Sequence, residues 1–173
     1  MKVIPREQMM QMPKERLIDY IELVDKNFWT LQNNWIINME TRYGDDVALE
    51  FDDLAFGRCC EIQVYRLKKF FGLGDDIPAL MKIFDFSQFC STLDTEFHDI
   101  TDKQVMWRVT RCPIQLARIE RGEIEIPCKV SAIPINEKIA KAINPKMKCT
   151  CIICPPDPHP ADRWCEFKFT IED

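Results

Sequence analysis

Between residues 13 and 43 the apolar side chains Leu17, Ile18, Ile21, Val24, Phe28, Leu31, Trp35 and Met39 return at steps of three and four. That is the period of a helix with one buried face. Pro13 suits its first turn and Gly44 its stop. A second helix is predicted over 46–71, carried by Val47, Leu54, Cys60, Ile62, Val64, Leu67 and Phe71, with Asp45 or Asp46 as cap and Gly72 as its end. So short a gap makes the two helices an antiparallel hairpin. Residues 77–84, opened by Pro78, form a third, shorter helix. After Cys90 the period changes to two. Leu93, Thr95 and Phe97 alternate with polar residues, and Val105, Trp107 and Val109 repeat the pattern, with 101–103 as the turn. Residues 113–121 are helical and closed by Gly122, and Pro134 opens another helix that stops before Pro145. Met147, Cys149, Cys151 and Ile153 share one strand face, as do Cys165, Phe167, Phe169 and Ile171, with a proline-rich loop at 154–164. The sum is α+β: an N-terminal helical hairpin packed on a small, mostly antiparallel four-stranded sheet with short helices.

With 173 residues and 46% apolar content, one domain over 1–173 is expected, divided into a helical part (13–84) and a sheet and cysteine-rich part (90–173). A net charge of −5 argues against a nucleic-acid or anionic-membrane binder that relies on broad electrostatics. No run of eighteen apolar residues occurs, and residues 1–11 lack the apolar stretch of a signal peptide, so a cytosolic location is expected. The nine cysteines then read as thiols or metal ligands before disulfides.

The sharpest local signal is Cys151-Ile-Ile-Cys154-Pro-Pro-Asp157, with Cys149 just before it and Cys165 downstream. A Cys-x-x-Cys knuckle lets two thiolates converge on one ion, and zinc wants four ligands in a tetrahedron. A hairpin joining the last two strands brings Cys165 beside Cys151 or Cys154, and Cys112 or Cys128, each next to a proline, can supply the remaining thiolate. An iron–sulfur cluster is the alternative. So is plain packing, since free cysteine behaves as a small hydrophobe, and that reading covers Cys59, Cys60 and Cys90. Cys112, at a predicted helix N-terminus, carries a catalytic alternative. Its base would be one of only two histidines, His98 or His159. His98 is poorly placed on a simple hairpin register, and a loop residue such as His159 is exposed by default.

Asn27, Asn34, Glu40, Asp52 and Arg66 interrupt what the periodicity marks as a buried helix face. They either form a structural network or line a pocket, with Asn27, Glu40 and Arg66 the candidate ligand-binding residues. A ferritin-like dimetal site is excluded, because no Glu-x-x-His pair occurs on these helices.

Three blocks carry a resemblance: Asn27-x-Trp29 with Trp35…Glu40-x-x-Tyr43-Gly44; Trp107-Arg108-Val109-x-x-Cys112-Pro113-x-Gln115-x-x-Arg118 with Pro127-Cys128; and Asn144-Pro145…Cys151-x-x-Cys154-Pro155-Pro156-Asp157…Trp164-Cys165-x-Phe167-x-Phe169. From Asn27 onward the chain resembles an uncharacterised family of cytosolic proteins found largely in anaerobic prokaryotes. Asn33-Asn34 stands where that pattern has Asp-Gly, and Phe56 where it has Trp. Cys149 is outside the pattern, so the resemblance favours Cys112, Cys128, Cys151, Cys154 and Cys165 as ligands. More distantly the chain is similar to aminothiazoline-carboxylate hydrolase-like proteins and to vinyl-reductase-type domains, whose relatives bind small ligands or cluster cysteines around a metal.

The leading expectation is therefore a sensor or accessory domain with a thiolate site, zinc first, that binds a small molecule between hairpin and sheet. The alternatives are a small-molecule hydrolase using Cys112 or a metal-bound water, and an interaction protein whose thiols merely pack.

Overall fold

The computed structural model describes residues 5–172. Residues 1–4, the front of the segment read for a leader, and residue 173 lie outside the described residues. A short helix α1 (Arg6–Met10), absent from the periodicity, precedes the predicted hairpin of α2 (Lys14–Tyr43) and α3 (Asp45–Phe71). A single residue, Gly44, turns the chain between them at φ +86°, a conformation that suits only glycine. Asp45 and Asp46 lie in the first turn of α3, where they face the positive end of its dipole, and neither side chain caps it. Helix α4 (Ile77–Phe86) is capped by Asp76, whose carboxylate accepts from the Ala79 N–H, and Pro78 occupies the opening turn.

The second half follows the predicted alternation. Strands β1 (Asp94–His98) and β2 (Gln104–Arg111) lead into α5 (Pro113–Glu120) and α6 (Lys129–Ile143), then β3 (Met147–Ile153) and β4 (Cys165–Ile171). The sheet is antiparallel in the order β1-β2-β4-β3, so the two hairpins join through β2 and β4, with Trp107 opposite Phe167. The fold class is α+β, as expected. Helix α6 differs from expectation, because it begins at Lys129 and carries Pro134 inside it. The missing proline N–H deprives the carbonyl of Val130 of a partner, and Val130 is 65% exposed, so water can take its place.

One face of the sheet is covered by α4 and α6, with α3 outside α6. Phe84 of α4 anchors that contact, meeting the rings of Phe89, Phe97, Trp107 and Phe169 at 5.5, 6.1, 5.0 and 5.5 Å. Gly57 sets the approach of α3 to α6. A Cβ there would stand 3.3 Å from Ile135 Cγ1 and from Lys138 Nζ, and Lys138 in turn donates to Asp53 Oδ1 at 2.6 Å.

Helix α2 corrects the sequence reading most. Its apolar stripe is largely presented to solvent: Ile18, Ile21, Val24, Leu31 and Trp35 are all exposed, and Trp29 is its one residue in the fully buried core among the described residues. Its packing against the rest of the molecule comes from α3 and from single contacts such as the Trp29 indole, which donates to Ser91 Oγ at 2.8 Å. Periodicity identifies an apolar face but not whether the chain itself covers that face.

Candidate metal centre and adjoining cavities

The bonds of the proline-rich loop assemble the site. Lys129, the first residue of α6, donates its backbone N–H to the Pro155 carbonyl at 2.9 Å and its ammonium to both Asp157 oxygens at 2.8 and 2.6 Å. Asp157 accepts from the Cys154 N–H at 3.3 Å, and the Trp164 N–H reaches the Val109 carbonyl at 2.9 Å. These bonds pin the 155–164 loop between the start of α6 and the end of β2. As a result Cys128, just before α6, meets the two cysteines that bracket the loop.

Cys128, Cys154 and Cys165 place their sulfurs within 4.8 Å of one another, with Cys154 Sγ 3.8 Å from Cys128 and 3.6 Å from Cys165. The Gln115 amide adds a donor to Cys128 at 3.5 Å, while its oxygen accepts the Ile126 N–H at 2.9 Å, which holds the amide in orientation. Donation from Cys154, Cys165 and Gln115 drives the Cys128 thiol far below its ordinary range despite burial. Donation to Cys128 and burial push Cys154 and Cys165 up. The donor bonds thus favour the thiolate on Cys128 over its two neighbours. All nine cysteines are free.

The other predicted ligands stand apart. Cys151 lies on β3 beside a register shift, half-buried near Lys129 and Asp157 and outside the trio. Cys112 sits at the N-terminus of α5, where the Gln115 and Ile114 N–H groups favour its thiolate, but burial wins and raises the thiol to about 11. Both histidines are occupied elsewhere. His98, across from Met106, shares Glu166 at 2.9 Å with Arg108 on the outer face of the sheet. The His159 side chain is only 7% exposed, contrary to the default for a loop residue, and its ring lies 4.7 Å from the Trp164 ring and 3.2 Å from Glu125.

The candidate ligand residues also separate. Asn27 and Arg66 are exposed. Glu40 is half-buried and bonded through both oxygens to Arg118 Nη1 at 3.0 and 3.1 Å, and Arg118 also donates to the Ile124 carbonyl at 3.1 Å. Burial raises the Glu40 carboxyl above its ordinary value even with the guanidinium pulling the other way. This pair forms part of an outer cavity of about 320 Å³ between α2 and α5.

Sharing Trp29 and Ile114 with it is a second cavity, the inner one, of about 180 Å³ between the helices and the sheet. Cys112, Cys128 and Cys165 line it together with Trp107, Gln32 and Asp52. Burial raises the Asp52 carboxyl to about 6, while Gln32 donates to it at 3.0 Å. Arg118 and Gln115 were visible only as members of a motif, and Trp107 only as an apolar strand position and a motif member. Their partners lie 78 and 11 residues away or, for the Trp107 N–H, are missing among the described residues, and no periodicity encodes that.

Residues 10–171 match a family of unknown function, DUF6125. No curated protein matches the chain in sequence. Among solved structures, the fold is similar to a trafficking protein particle complex subunit 3 from Naegleria fowleri, which was determined covalently bound to palmitic acid. The likeness has a TM-score of 0.53 at 9% identity and covers 88% of this chain and 97% of that one. At that identity it speaks for the fold alone. No helix among the described residues is long and apolar enough to cross a membrane.

Proposed function

We propose that this chain, which belongs to the DUF6125 family of unknown function, binds a small molecule in its inner cavity and holds one metal ion on the cavity wall through Cys128, Cys154 and Cys165. The observation that carries the reading is shared membership: Cys128 and Cys165 belong both to the thiol trio and to the cavity lining. The spacing supports a single ion. Thiolates at 2.3 Å from a tetrahedral zinc stand roughly 3.8 Å apart, and the contacts here are 3.8 and 3.6 Å. An iron–sulfur cluster places its cysteines on separate irons, which spreads the sulfurs beyond contact. Zinc held here would cross-link the start of α6 to the last hairpin and set a Lewis acid beside the cavity. Cys151, the other half of the knuckle, is the fourth thiol available to close the site.

The role that fits is a sensor or accessory domain working in a reducing cytoplasm, where the thiols stay free. A hydrolase reading gains no support from Cys112, whose thiol stays protonated at neutral pH. The test is elemental analysis of protein purified without oxygen. One equivalent of zinc is expected. Substoichiometric metal with nine freely titratable thiols would overturn the reading, and visible charge-transfer absorption would move it to an iron–sulfur centre.

A further inference from the structure

Trp107 is 4% exposed in the middle of the sheet, and its indole Nε1–H is buried with no acceptor among the described residues. A buried donor left unpaired costs free energy, so in a native core it has a partner or a reason. Trp107 also lines the inner cavity, where the rings of Trp29, Phe56, Phe89 and Phe167 share the wall with aliphatic side chains and the amides of Gln32 and Asn136. At about 180 Å³ the cavity is smaller than the roughly 300–1,000 Å³ of ordinary small-molecule sites, which limits an occupant to a single small ring. Aromatic walls favour a flat one. No Lys, Arg or His is among its lining residues, and Asp52 is the carboxylate there. An anion would therefore enter a low-dielectric space with no side-chain counter-charge to receive it.

We infer that the inner cavity takes a small, non-anionic ring compound bearing a hydrogen-bond acceptor, and that the Trp107 indole N–H is the group that recognises the acceptor. This rests on the proposed reading of the inner cavity as a ligand site, and it extends that reading from a cavity to a chemical class and a recognising residue. The occupant displaces the apolar void, stacks among the rings and supplies the oxygen or nitrogen that the indole lacks.

Three probes of nearly equal size separate the elements: acetophenone has the acceptor, cumene has the shape without it, and benzoate has the shape with a negative charge. Binding to the full chain, stripped of metal so that no cation on the wall can take the carboxylate, is followed by calorimetry and by the indole ¹H–¹⁵N resonance of Trp107. Acetophenone is expected to bind and to shift that resonance downfield, cumene to leave it in place, and benzoate to bind at least tenfold more weakly than acetophenone. In Trp107→Phe the preference for acetophenone over cumene should fall at least tenfold, which is about 1.4 kcal/mol. Acetophenone binding without a downfield shift in the wild type overturns the role of Trp107 even if the variant does not fold. Benzoate binding as tightly as acetophenone overturns the ligand class. Failure of all three to bind overturns the ligand-site reading as well, while leaving the metal measurement unaffected.

Discussion

Replacing Asp52 by asparagine should stabilise the protein at neutral pH. Asp52 sits where α2 and α3 close over the inner cavity, and the Gln32 amide donates to its Oδ1 at 3.0 Å. Asparagine keeps an acceptor in that place and removes the charge. Burial is the largest influence on the carboxyl and lifts it from 3.8 to about 6. Folded and unfolded chains then differ in proton binding between those two values. A raised acid is easy to bury when protonated, so its full contribution is present below about 3.8 and is lost as pH rises through about 6. The shift of about two pH units corresponds to about 3 kcal/mol at pH 7.5. For a chain of this size that is a rise in Tm of roughly 6–12 °C. Urea unfolding of wild type and Asp52→Asn from pH 4 to pH 8 reads it directly. The difference should be near zero at the acid end and grow to its full value by pH 7.5. A pH-independent difference, or a variant less stable at pH 7.5, would refute the argument that burial governs this carboxyl.

Cys154→Ser and Cys165→Ser should each release the metal and open the loop to limited proteolysis near residues 157–162, whereas Cys149→Ser and Cys90→Ser should do neither; equal cleavage with and without chelator would favour packed thiols. Zinc binding at pH 7 should release protons, because Cys154 and Cys165 are pushed toward the protonated thiol, and calorimetry in buffers of different ionisation enthalpy counts them. A smaller release in Cys151→Ser would place Cys151 in the coordination shell. Glu40→Gln should cost about 1.5–3 kcal/mol, since it removes the nearer of the two carboxylates on the buried Arg118 guanidinium and leaves Glu123 at 3.6 Å; an unchanged melting temperature would show that the pair is not structural.

How much of this was legible depended on whether the determinant was local. Gly44, Gly72 and Pro78 mark helix ends because backbone geometry acts within a few residues. The alternation around Trp107 and Phe167 marks strands for the same reason. The hairpin of the last two strands brought Cys165 beside Cys151 or Cys154 in the sequence reading, without choosing between them. Cys128 joins them only through Lys129 and its hold on Pro155 and Asp157, a contact spanning 28 residues in the case of Asp157. Cys151 is adjacent in sequence, but it lies where the register of β3 against β4 shifts, and a spacing rule cannot see that. Pro134 misled because prolines favour helix starts, while an exposed carbonyl at Val130 lets the helix tolerate one inside. The apolar stripe of α2 was read correctly as a stripe and wrongly as buried, since only tertiary packing decides what covers it.

Cobalt titration of the apo-protein under anaerobic conditions tests the central claim most directly, because tetrahedral thiolate cobalt reports ligand type and geometry in one spectrum. Thiolate-to-cobalt charge transfer together with tetrahedral d–d bands should saturate at one equivalent. Both should vanish in Cys154→Ser and persist in Cys149→Ser. A titration that shows no such bands, or bands that survive the loss of Cys154, would contradict a metal centre built on Cys128, Cys154 and Cys165.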